Sequence, residues 1–108
     1  MKPDEKNKVI YSIRSAWEAA QYAKPSGATP GAGRVYVMMP GDAKLASVIL
    51  KACKALGLTF QRKSYYGGTN AIYVGYENFS GATIAKGDAF ARELRMAGLD
   101  AYYDVHCD

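Results

Sequence analysis

From Gly33 onward the apolar spacing switches between two periods, two residues and about 3.6, in an order that leaves few folds open. RVYVMM, 34–39, alternates as a strand, and DAKLASVILKACKALG, 42–57, follows as a helix that Asp42 caps and Gly57 ends. Leu45, Val48, Ile49, Ala52 and Leu56 form its buried stripe. TFQRKSYY, 59–66, and NAIYVGYE, 70–77, read as two strands joined across Gly67 and Gly68. A helix over about 83–97 comes next, with Ser80 or Thr83 as its cap, Ile84, Phe90, Ala91 and Leu94 as its apolar face, and Gly98 at its end. DAYYDVHC, 100–107, closes the chain as a last strand.

Strand, helix, strand, strand, helix, strand is the split βαβ order of the ferredoxin-like sandwich, an α+β class. Right-handed crossovers place both helices on one face of a four-stranded antiparallel sheet. The expected spatial order is fourth, first, third, second. Ahead of this unit, residues 3–23 form an amphipathic helix, with Val9, Ile10, Ile13, Trp17 and Ala20 at helical spacing. KPSGATPGAG, 24–33, has linker chemistry, so the organisation predicted is an N-terminal helix over 1–24, a Gly/Pro linker over 25–33 and a ferredoxin-like domain over 34–108. A chain of 108 residues suits one cooperative unit.

Alternation divides each strand between a helix-covered face and an open one. The core set is Val35, Val37 and Met39 in the first strand, Ile72, Val74 and Tyr76 in the third, and Ala101, Tyr103, Val105 and Cys107 in the last. The open face then carries Arg34, Tyr36 and Met38, then Ala71, Tyr73 and Gly75, then Tyr102, Asp104 and His106. With a hairpin loop at 67–69, Gln61, Lys63 and Tyr65 join them. A one-residue slip exchanges the faces.

Tyrosine dominates the aromatic residues, nine against three phenylalanines and one tryptophan, and its flat body with a polar tip suits surfaces that are wet when free and buried when bound. Arg34, Tyr36, Lys63, Tyr65, Tyr73, Tyr102 and His106 are therefore the candidate binding residues. Aromatic rings interleaved with cations are what single-stranded nucleic acid requires. Val35, Tyr36 and Val37, together with Tyr73, Val74, Gly75 and Tyr76, resemble the first-strand and third-strand motifs of RNA-recognition-motif domains. The resemblance implies stacking roles for Tyr36 and Tyr73, although Ala71 stands where that family has a further aromatic. Two other uses of the face are open. The N-terminal helix covers it, with Trp17 and Ile13 on Tyr36 and Tyr73, or it pairs with a second copy or a foreign protein.

The net charge of +4 is spread along the chain and favours an acidic partner only mildly. There is no apolar run of signal-peptide or membrane-spanning length, so the expected location is cytoplasmic, that of a host cell if a phage encodes the chain. Cys53 and Cys107 are too few for a disulfide framework or a zinc site. Asp104 and His106 share a strand face as an acid–base pair, but no nucleophile is patterned beside them, and Cys107 alternates to the other side. GAG at 31–33 precedes a strand where a dinucleotide fingerprint follows one. Asp42 at the start of its helix repels phosphate, and the loop after the first strand lacks the arginine of acylphosphatase-type sites. No catalysis, cofactor or metal is expected. The functional expectation is a small protein that acts by binding a host protein or a protein–nucleic acid complex, without a membrane, as phage and mobile-element inhibitors such as anti-CRISPR proteins do. The alternative is a single-stranded nucleic-acid-binding module. For protein binding, the helix from Lys44 to Lys54 is a second candidate surface.

Overall fold

The structure is a computed structural model and describes residues 1–25, 31–62 and 68–106. It is an α+β fold of three helices and a four-stranded antiparallel sheet. Its elements are α1 (Pro3–Ala20), β1 (Ala32–Met39), α2 (Ala43–Leu56), β2 (Thr59–Gln61), β3 (Asn70–Asn78), α3 (Ala82–Met96) and β4 (Tyr102–His106). The strands lie in the order β2-β3-β1-β4, the order expected, read from the other edge. β2 covers only the first three residues of its expected run, and Lys63 and Tyr65 lie outside the described residues.

One core joins the sheet to all three helices. Val37, Met39 and Ile72 from the sheet meet Leu45, Ile49 and Ala52 of α2, Phe90, Ala91 and Leu94 of α3, and Ile13, Ala16 and Ala20 of α1. Each large side chain fully buried there contributes about 1.5–3 kcal/mol. α1 packs on α2 and α3, with the Trp17 ring 5.5 Å from that of Phe90. It therefore does not lie over Tyr36 and Tyr73, because its stripe of small and aliphatic residues finds its complement between the other two helices. Among the described residues no helix is long and apolar enough to cross a membrane.

The helix ends follow their local chemistry. Asp42 Oδ1 accepts from the backbone N–H of Lys44 at 2.8 Å and of Leu45 at 3.3 Å, and Gly57 takes the left-handed conformation at φ 72°. α3 ends in a Schellman turn, with Leu99 N–H on Leu94 O at 3.0 Å and Gly98 N–H on Arg95 O at 3.0 Å. Its N-terminus departs from expectation. The N-cap is Gly81, whose φ of 80° suits glycine, and neither Ser80 nor Thr83 occupies that position.

β1 starts two residues ahead of the expected strand, so Gly33 belongs to the sheet and not to a linker. A Cβ on Gly33 would stand 2.6 Å from the carbonyl oxygen of His106, and the missing side chain is what lets β4 approach β1 there.

Burial pushes the Cys53 thiol up to about 12. In a Cys107→Ser background, Cys53 is expected to react with a thiol reagent at neutral pH at least about a hundredfold more slowly in the native protein than in urea, since labelling waits on opening of the core. Comparable rates in the two states would show that the helix layer opens readily.

Candidate binding face and the bulge that sets it

The face of the sheet away from α2 and α3 is set by an irregularity between β1 and β3. Val35 pairs with Gly75 and Tyr36 pairs with Tyr73, so Val74 is one residue more than β1 can match. This bulge advances the alternation of β3 by one position. Ile72 and Val74 still pack toward the core as expected. Beyond the bulge the faces exchange. Gly75 turns to α3, where a Cβ would meet Thr83 Cγ2 at 3.2 Å, and Tyr76, paired with Arg34, turns to the open face and is 47 % exposed. The expected placements of these two residues are thus both corrected. The available signal was the glycine inside an otherwise continuous strand pattern, a common mark of a bulge.

The same exchange puts Glu77 on the helix side, paired with Gly33 and wholly buried. Its Oε2 accepts from the backbone N–H of Gly81 at 2.7 Å, and its Oε1 accepts from Thr83 and Ile84, both at 3.0 Å. Ser80 Oγ donates to Oε2 at 3.4 Å. Glu77 is therefore the cap of α3, supplied from a neighbouring strand. Burial raises its carboxyl pKa, but the backbone N–H groups around it outweigh that effect and hold it below the ordinary carboxylate range.

On the open face Tyr36 is the hub. Its ring lies 5.4 Å from Tyr73 across the β1–β3 pair and 4.7 Å from His106 on the β4 side. His106 Nε2 stands 3.3 Å from Asp104 Oδ2, so the expected acid–base pair does meet. His106 is not the accessible open-face residue that alternation suggests, for its side chain is only 8 % exposed. Tyr36 and Met38 occupy the open face but are buried, at 6 % and 1 %, in a small apolar cluster with Ala71 and with Tyr73 packed against it. Their burial corrects the expectation that they stand free. Stacked aromatic neighbours remove each other's faces from water, which an alternation pattern does not register.

Accessible side chains on this face among the described residues include Arg34, Tyr76, Tyr102 at 49 %, Thr59 and Gln61, with Tyr73 and Asp104 half-buried. Tyr103 points to the helix side yet remains 38 % exposed, because β4 is an edge strand and the α3 position nearest it is Gly87. Past the end of β3, Phe79 holds a φ of 61° and is 67 % exposed. A bulky residue in the left-handed region is uncommon, and sequence reading had no signal for it.

Comparison of the chain with known protein families, with curated protein sequences and with solved structures finds no match.

Proposed function

We propose that the chain is a small non-catalytic binding protein that acts by contact with another protein, of the kind phage and mobile elements direct against host machinery, anti-CRISPR proteins among them. We read the unit from β1 to β4 as a ferredoxin-like split βαβ sandwich, on the strength of its element order and its strand order. The observation that carries the functional reading is the closure of Tyr36. Its ring is held between Tyr73 and His106 and is 6 % exposed, so a base has no face to lie on. Exposed Tyr76 and Tyr102 on this face, and Phe79 past the end of β3, suit the mixed polar and apolar character of a protein interface. Packing of His106 under the same stack also leaves the Asp104/His106 pair little room for a substrate.

One observation favours the alternative of a single-stranded nucleic-acid-binding module. α1 packs on the helix layer, so it does not occupy the face that a nucleic acid would need.

A titration of labelled single-stranded RNA and DNA at low and at physiological salt, read by anisotropy, separates the two. Protein binding predicts no saturable response in either salt. Tyr76→Ala/Tyr102→Ala, with both rings already exposed, serves as the variant that keeps the fold. Binding that weakens steeply with salt and falls about tenfold or more in that variant would establish the nucleic-acid reading instead.

A further inference from the structure

One concavity among the described residues lies away from the tyrosine face. It is a cleft of about 580 Å³ between the first turns of α1 and the outer side of α2. Lys6, Lys44 and Lys51 line it, over a floor that includes Ile10 and Val48, with Ser47 at its side. None of the three ammonium groups takes part in an ion pair among the described residues, and all three residues are exposed. Neither an aspartate nor a glutamate lines the cleft. α2 itself carries Lys44, Lys51 and Lys54 and no acidic residue. The carboxylates nearest in sequence are Asp4 and Glu5 in the first turn of α1, where Glu5 Oε2 accepts from the backbone N–H of Lys2 at 3.4 Å, and Asp42, whose Oδ1 is committed to the backbone of α2. Ser47 also borders a second depression on the other side of α2, where Leu50, Phe60 and Arg62 stand, so cations and apolar side chains continue around the helix.

We infer that this cleft is the docking site for an acidic amphipathic segment of a partner protein, one whose carboxylates meet Lys6, Lys44 and Lys51 while an apolar side chain enters over Ile10 and Val48. The inference rests on the protein-binding reading and gives it a location and a partner chemistry. Charge complementarity selects an anionic occupant. The floor has no aromatic side chain, so a nucleic acid would find charge but no stacking surface. A second copy of the chain brings the same net charge of +4 and is repelled. Lysine ammonium groups take carboxylate and phosphate alike, so the apolar floor of Ile10 and Val48 is what selects an amphipathic acidic segment over a free phosphate.

The test uses the full chain and a fluorescein-labelled helical peptide of about 16 residues, with leucine every third or fourth position and glutamate elsewhere, so that one face is apolar. Comparison probes are oligoglutamate of equal length and a single-stranded DNA of equal charge. The leucine-bearing peptide is expected to bind best at low salt, and Lys6→Glu/Lys44→Glu/Lys51→Glu is expected to weaken it about tenfold or more, the equivalent of about 1.4 kcal/mol. In an amide-resolved NMR titration the shifts should centre on Lys6, Asn7, Ser47 and Lys51. These lysines are exposed, so the triple variant keeps its fold, which circular dichroism checks.

Equal binding of oligoglutamate or of DNA overturns the inference, since the cleft is then an unselective cationic patch. Undiminished peptide binding by the triple variant, with shifts around Tyr76 and Tyr102, overturns it too, but leaves the protein-binding reading standing at the sheet face. Absence of any peptide binding at low salt overturns the cleft alone. The broader reading fails on a different result, salt-sensitive and tyrosine-dependent binding of single strands.

Discussion

Glu77→Ala is expected to lower the unfolding free energy by about 3–5 kcal/mol at neutral pH, because it strips the acceptor from several backbone N–H groups at the start of α3. Gly81 cannot replace it, having no side chain, and Ser80 Oγ reaches only the Ala82 N–H, at 3.2 Å. The lost charge also sits where the helix dipole favours an anion. Glu77→Gln retains one acceptor oxygen and should lose about half as much. Urea unfolding with an unchanged m-value checks both numbers.

The effect has a pH signature whose sign follows from the lowered pKa of Glu77 in the folded state. A group depressed on folding contributes fully above its unfolded value, about 4.3 for glutamate, and loses that contribution as pH falls through the folded value. The stability gap between wild type and Glu77→Gln should therefore be constant at neutral pH and shrink in the acid range below about 4. A gap of less than about 1 kcal/mol for Glu77→Ala at pH 7 would mean that water serves the helix end as well as the carboxylate does.

Gly41→Ala is expected to cost about 3 kcal/mol or more, for a steric reason. A Cβ at Gly41 would lie 1.8 Å from the carbonyl oxygen of Gly68, and since the obstacle is backbone, no rotamer relieves it. The turn must move, and it is tied down. Buried Asn70 donates through Nδ2 to Pro40 O at 2.8 Å and to Asp42 O at 3.3 Å, and Asp42 caps α2 next to them. Displacing the turn thus loosens a buried polar link and a helix cap together. Gly57→Ala is the control, because that glycine has a φ of 72° but nothing within 4 Å of its would-be Cβ. It should cost only about 1 kcal/mol, the left-handed penalty. Equal losses at the two sites, measured by denaturant midpoint, would rule out the close approach as the cause.

Element type and order were legible because they depend on local periodicity and on capping chemistry. The stripe Leu45, Val48, Ile49, Ala52 and the cap at Asp42 follow from the chain read a few residues at a time, and the strand order agrees with what the sequence of elements and right-handed crossovers imply. The candidate site was legible only in part. Tyr36, Tyr73, Tyr102 and His106 do share a face, and Arg34 stands with them, while Lys63 and Tyr65 lie outside the described residues.

What the sequence determined by itself was therefore the set of elements and the stripe each must bury, since both are written in spacings within a single helix or strand. Tertiary structure alone decided the rest. It placed α1 on the helix layer, because two other helices offered its small-residue stripe a better fit than a tyrosine sheet. One unmatched residue, Val74, turned Tyr76 outward and Glu77 inward, because the register of β3 is settled by pairing with β1 and not by its own alternation. And it closed Tyr36 between Tyr73 and His106, since how much of a ring meets water depends on neighbours far apart in the chain.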